Sequence, residues 1–269
     1  MPMCADICTN EEKNARFQRA LDRIVRLEER ERHGIGMQKE KTLHAVLKAY
    51  EDPDEDHHEI PIENYIADIY CEKTGSITEI QTANFGYLRN KLDAFLPLYH
   101  VTVVYPIPAV KWITWVDPET GELGKRSRSP KKGNFYSAFR ELYRISSYLD
   151  HPNLSIKLIL LDMEEYRLKD GWGRDGKRGS HRYDRVPTRL VDETVINEPR
   201  DYMQFIPYDI QEPFTAKELA RSCGQPGNSF STEALILRKM GVIVQSGKKG
   251  RSYLYRVAED PEPSLSYRI

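Results

Sequence analysis

Between Tyr65 and Thr82 two runs of strand-favouring residues, Tyr65–Cys71 and Ile77–Thr82, flank Glu72-Lys-Thr-Gly75, a segment with good turn chemistry. If residues 72–75 form the loop of a hairpin, Cys71 faces Ser76, and stepping outward from that pair brings Asp68 opposite Glu79. Side chains so opposed lie with their Cβ atoms about 4.5–5.5 Å apart, and two like charges there are destabilising unless a cation sits between them. A divalent metal is the natural occupant, since Mg²⁺ takes one or two carboxylates and completes its shell with water and phosphate oxygens. The structural alternative is a salt bridge from the pair to a nearby base such as Lys91. A one-residue slip would separate the acids.

The hairpin sits among alternating helices and strands. Phe17, Leu21 and Ile24 recur at helical spacing within residues 10–32, and Leu43, Val46, Leu47 and Tyr50 do so within 37–50, with Gly34 and Gly36 between. On the second helix Glu40 precedes Leu43 and Leu47 by three and seven positions, at the head of the inward stripe. It is a candidate third carboxylate, either supporting the first two or holding a second metal; favourable placement in the first helical turn explains it equally well. A helix at 85–96 leads to a short apolar strand at 100–105, and further strands are expected at 109–116 and 155–162. That order predicts an α/β fold, a central mixed sheet flanked by helices.

The C-terminal segment reads differently. Thr215-Ala-Lys-Glu218 is a capping box opening a short helix to about Ser222, and a turn at 224–227 leads to a second helix at 229–240. Strands at 242–245 and 253–257 then flank the basic turn Ser246-Gly-Lys-Lys-Gly-Arg251. This is the order of a winged helix-turn-helix, and equally that of a small structural or protein-binding module. The expected organisation is an N-terminal helix at 1–35, an α/β domain with basic loops at 36–195, a linker at 196–212, the winged-helix-like unit at 213–258 and a tail at 259–269.

Composition limits the partners. With 269 residues the chain has ample core and needs no disulfide or structural metal to fold, and its cysteines, Cys4, Cys8, Cys71 and Cys223, form no Cys-x2-Cys pair. The mean hydropathy is -0.63 and no apolar run is long enough to span a bilayer, so a cytoplasmic protein without membrane contact is expected. The net charge of -1 hides an asymmetry: residues 124–190 hold 16 Lys and Arg against 8 acids. Two clusters there mix positive charge with Gly, Ser and aromatics and read as exposed loops suited to phosphates. One contains Lys125, Arg126, Arg128, Lys131 and Lys132; the other contains Trp172, Arg174, Lys177, Arg178 and Arg182. Trp172, set between glycines and arginines, is placed to stack on a base, whereas Trp112 and Trp115 read as core. Adjacent His57 and His58 on an extended segment face opposite sides and do not suggest zinc.

Glu40 on a helix, Asp68 on a strand and Glu79-Ile-Gln81 on the next strand, followed by a helix and a buried strand, resemble the PD-(D/E)xK (restriction endonuclease-like) nuclease superfamily. The likeness covers about Gly36 to Pro106. It implies a core ordered helix, strand, strand, strand, helix, strand, in which the strand acids bind Mg²⁺ or Mn²⁺ and a lysine positions or deprotonates the attacking water. Asp68 and Glu79 take the acidic positions, with the Ile80 carbonyl as a further ligand. Gln81 stands where the motif has lysine, as in Glu-x-Gln restriction enzymes; it can orient water by hydrogen bonding but cannot titrate. Ala67 replaces the motif's proline. Lys91 on the following helix is a stand-in for the lysine, and Asn84, Tyr87 and Lys91 are placed to contact substrate. The chain also resembles a group of bacterial proteins sharing a Glu-Ile-Gln-Thr segment and a winged-helix-like end, a likeness that carries no activity.

The resemblance implies a metal-dependent DNA endonuclease in which the basic middle holds the backbone and Lys248, Lys249 and Arg251 form a phosphate-binding wing. A homodimer is one arrangement by which two sites address two strands. Two other readings stay open: a non-catalytic DNA-binding protein with a degenerate nuclease fold, and a nucleic-acid or protein interaction module in a defence or repair complex.

Overall fold

The computed structural model describes residues 9–32, 41–169, 182–226 and 230–261, with side chains of the helix end 26–32 excepted. Its centre is a seven-stranded mixed sheet ordered β1-β2-β3-β4-β6-β7, with β5 paired to β4. The strands are β1 (His58–Ile62), β2 (Tyr65–Cys71), β3 (Ser76–Ile80), β4 (His100–Val116), β5 (Ser127–Arg128), β6 (Leu154–Leu168) and β7 (Arg182–Ile196). β1, β2 and β3 run antiparallel, β3, β4 and β6 run parallel, and β7 returns antiparallel to β6.

Alternation along the strands sends side chains to two separate cores. Helices α1 (Asn10–Arg32) and α2 (Thr42–Glu51) cover one face, where Phe17, Leu43 and Val46 meet Val104, Ile159 and Leu161. The other face packs Val101, Val103, Ile156 and Leu158 against α3 (Arg89–Phe95) and α4 (Phe139–Leu142). The α/β expectation with helices on both sides of a mixed sheet is met at that level.

The strands near the centre are longer than the sequence suggests. The expected strands at 100–105 and 109–116 are one strand, β4, with an irregularity between Pro108 and Lys111. Proline ordinarily interrupts a central strand because it lacks an N–H. Here Pro106 and Pro108 share the parity of Val104, whose carbonyl accepts from Gln81 on the β3 side. β3 pairs only as far as Val104 and β5 begins pairing at Trp112, so the missing N–H groups face an edge that no described strand occupies. The Gly133 N–H closes part of it, donating to the Pro108 carbonyl at 2.9 Å. A Cβ on Gly133 would lie 2.5 Å from that oxygen, so the approach requires glycine.

β7 was not anticipated. Arg182, read above as part of an exposed basic loop, lies in this strand together with Arg185, and β6 extends to Leu168 to pair with it. With β4 they form a three-stranded extension beyond the end of β3.

At the C-terminal end, α5 (Ala216–Ser222), α6 (Ser231–Lys239) and the hairpin β8 (Ile243–Lys249) and β9 (Ser252–Val257) follow the expected order. The Thr215 hydroxyl accepts from the Glu218 N–H, completing the capping box. Residues 199–205 form a 3₁₀ helix with Tyr202 and Phe205 buried. Phe139, Phe205, Phe214, Phe230 and Leu237 belong to one continuous cluster, so this unit and the sheet share a core.

Candidate active site

The β2–β3 register matches the sequence reading: Cys71 faces Ser76, Tyr70 faces Ile77 and Ile69 faces Thr78. The pairing then stops, and the next two residues outward are Asp68 and Glu79. Where a backbone carbonyl would continue the ladder, Asp68 Oδ2 accepts the Ile80 N–H at 2.7 Å. The same oxygen lies 3.3 Å from His44 Nε2 on α2. Burial pushes the Asp68 carboxyl up, but His44, the Ile80 N–H and Lys91 outweigh it and hold the group below the usual range.

Glu79 is 2% exposed, and Lys91 Nζ from α3 donates to its Oε2 at 2.6 Å and to the Ile66 carbonyl at 2.7 Å. Its Oε1 is buried with no hydrogen-bond partner among the described residues. Burial, then the charge of Asp68, pushes the Glu79 carboxyl up to about 7 against the opposing pull of Lys91. Two carboxyl groups whose pKa values are pushed in opposite directions, one lysine and one histidine thus meet where two strands part.

Gln81 is turned away. Its amide nitrogen donates to the carbonyls of Ala83 and Asn84, within the turn that leads to a 3₁₀ helix at Phe85–Leu88. The charged nitrogen in the site is therefore that of Lys91, ten residues later in the chain. Asn84 adopts a left-handed φ of 50° at that turn, and Tyr87 beyond it is 79% exposed.

The remaining sequence candidates fall into three groups. Glu40, Trp172, Arg174, Lys177 and Arg178 lie outside the described residues. Lys125, Arg128, Lys131 and Lys132 are exposed, as are Lys248, Lys249 and Arg251 around the β8–β9 turn, with Lys248 Nζ 5.1 Å from the centre of the Tyr253 ring. Two are committed elsewhere: Arg126 pairs with Glu164 at 2.6 Å while its guanidinium lies 3.8 Å from the centre of the Trp112 ring, and Arg182 reaches Glu165. His57 and His58, expected to face opposite sides of an extended segment, both turn to Asp52, because His57 closes a 3₁₀ turn: His57 Nδ1 lies 2.7 Å from its carboxylate and His58 Nε2 2.9 Å from its backbone carbonyl.

His44 went unnoticed in the sequence, although it lies within the helix expected at 37–50. Glu165 also went unnoticed. It continues the parity of Ile159, Leu161 and Met163 and is buried as they are, so the alternation could have revealed it.

Among the described residues no three Asp, Glu, His or Cys side chains gather into a metal-holding group. The carboxylates of Asp68 and Glu79, with Glu79 Oε1 buried and unbonded, still suit a hard cation that draws its other ligands from water and substrate.

A family model described as "Domain of unknown function (DUF8091)" matches residues 41–197, from the start of α2 to the end of β7. A protein of Treponema pallidum (strain Nichols), described as "Uncharacterized protein", is 29% identical over 218 residues, covering 81% of this chain and 85% of that protein. No solved structure matches the chain.

Proposed function

This chain belongs to the DUF8091 family, whose match takes in every strand of the large sheet, and from that premise we propose that it is a divalent-metal-dependent phosphodiesterase that cuts DNA. The observation that carries the reading is the convergence of Asp68, Glu79 and Lys91 at the opening between β2 and β3, with Lys91 Nζ 2.6 Å from Glu79. The succession α2, β1, β2, β3, α3, β4 follows the order that the resemblance implies and supports the same reading.

Asp68, Glu79 and the Ile80 carbonyl would hold Mg²⁺ or Mn²⁺, which in such a site polarises a phosphate oxygen and acidifies bound water. His44 fixes the Asp68 carboxylate from the α2 side. Lys91 takes the part that the resemblance gave to the position of Gln81: anchored on the Ile66 carbonyl, its ammonium presents positive charge to a phosphate or to the attacking water. Gln81 shapes the turn carrying Asn84 and Tyr87, whose exposed ring is available to substrate.

The α5, α6, β8, β9 unit serves as a winged-helix-like accessory through its wing. α6 buries Ala234, Ile236 and Leu237 and ties Lys239 to the Ser146 carbonyl, so Lys248, Lys249 and Arg251 are the parts turned outward. No described helix is long and apolar enough to cross a membrane; the reading places the protein in the cytoplasm, with a homodimer as the arrangement for cutting two strands.

Plasmid cleavage in Mg²⁺ and in Mn²⁺ tests the proposal. Asp68→Asn, Glu79→Gln and Lys91→Met, each folded as judged by circular dichroism, should slow cutting by about 10²–10⁴-fold. Cutting that persists in Asp68→Asn, or wild-type protein that binds DNA without cutting it in either metal, overturns the proposal; the latter result assigns a non-catalytic DNA-binding role.

A further inference from the structure

The extension formed by β4, β6 and β7 carries a second charged centre, organised on Glu165. This carboxylate is 1% exposed. Lys111 Nζ lies 3.0 Å and Arg182 Nε 3.4 Å from its Oε2, and Arg167 Nε donates to its Oε1 at 2.7 Å. Arg185 is its cross-strand partner on β7.

Three cations are thus held by one acid, with a fourth, Arg185, opposite it across the strands, and the balance does not close. The Arg185 guanidinium makes no hydrogen bond or ion pair with any described residue, and its Nε is buried with no partner. Asp184, whose charge also acts on Arg185, is committed to Thr42 on α2. Burial, and after it the like charge of Arg182, depresses the Arg185 pKa to about 10. Arg185 is half-buried, and a guanidinium whose Nε is shut off from water and unbonded is a costly arrangement. The cluster is not sealed: the side chains of Lys111, Arg167 and Arg182 are 19%, 30% and 48% exposed. Guanidinium groups present paired N–H donors matched to the oxygens of a phosphate.

We propose that Lys111, Arg167, Arg182 and Arg185 form a phosphate-binding site, with Glu165 as the internal counter-ion that orders the cations and phosphate as the missing partner of Arg185. The ligand is a phosphate group, either free or carried by a nucleic-acid backbone. The site uses neither Asp68 nor Glu79, so it does not depend on the phosphodiesterase reading.

The test uses the full chain in chelator, at ionic strength held constant with chloride. Inorganic phosphate and an oligothymidylate of about ten nucleotides are titrated separately, by calorimetry and by thermal melting. Wild-type protein should bind at least one of the two and melt at a higher temperature in its presence. Arg185→Met should weaken binding by about tenfold or more and, without ligand, should melt above wild type because a half-buried charge with an unbonded Nε has gone. Arg167→Ala, a change at a partly exposed residue, should weaken binding while the ligand-free melting temperature changes little. Tighter binding of the oligonucleotide assigns the phosphate to a nucleic-acid backbone, and tighter binding of inorganic phosphate assigns it to a small molecule. Wild-type protein that responds to neither probe, or two variants that bind as wild type does, overturns the site. With metal absent, that result says nothing against Asp68 and Glu79, and failed plasmid cleavage says nothing against Arg185.

Discussion

At the scale of the residue, Glu79 sets an expectation for pH. Its carboxyl is pushed from 4.5 up to about 7, by burial first and by Asp68 second. Between those values the folded chain keeps a proton that the unfolded chain has released. Its stabilising contribution is full below 4.5, falls as pH rises through this window and levels off above about 7, a loss on the order of 1–3 kcal/mol. Asp68 acts in the opposite sense: its depressed pKa gives stability that is present above the ordinary aspartate range and lost on acidification. Glu79→Gln keeps an acceptor for Lys91 and removes the titration. Urea denaturation from pH 4.5 to 8 should show this variant gaining on wild type as pH rises; parallel curves would mean that Glu79 is ionised throughout. The proposed Mg²⁺ site needs the ionised form, so metal affinity there, read by calorimetry, should climb through about pH 7.

At the scale of the element, α2 depends on a residue far away in the chain. Its N-cap, Lys41, supplies no side-chain cap. The buried carboxylate of Asp184 on β7 accepts the Thr42 N–H at 3.3 Å, and the Thr42 hydroxyl donates to its other oxygen. Asp184→Ala should therefore cost about 1–3 kcal/mol and loosen the helix that brings His44 to Asp68. A melting temperature equal to that of wild type would show that α2 is held by packing alone. This connection was illegible in the sequence because cap and helix are 142 residues apart. The β2–β3 hairpin was legible because its turn and its register lie within one short stretch. β7 escaped notice because irregularities at Leu160/Leu161 and Asp162/Met163 break its alternation and because charged residues fill its inward as well as its outward positions. β4 was read as two strands because its prolines are tolerated only where β3 has already ended, a fact of topology that no local pattern carries.

At the scale of the whole molecule, the C-terminal unit behaves as a layer of the sheet's core. The capping box of α5 and the basic hairpin were readable from the sequence, but the surface they cover was not, since an apolar stripe does not name its partner. Phe230 is 2% exposed, and its ring lies 5.6 Å from that of Tyr136, which in turn stacks with Phe139 on α4. Phe214 and Tyr255 hold β9 against the chain entering α5 through paired backbone hydrogen bonds of 3.0 and 2.7 Å. Removing residues 213–269 would uncover Phe139, Phe205 and Tyr136 together, a patch larger than a soluble surface tolerates. The shortened chain should accordingly aggregate or bind a hydrophobic dye, and Phe230→Ala in the full chain should cost about 3–5 kcal/mol. Because the C-terminal unit shares its core with one face of the sheet, the full chain should melt in a single calorimetric transition whose midpoint Phe230→Ala lowers as a whole. Two separable transitions, with only the smaller one moved by Phe230→Ala, would instead make the C-terminal unit an independent domain and give its basic wing freedom to reach DNA apart from the sheet.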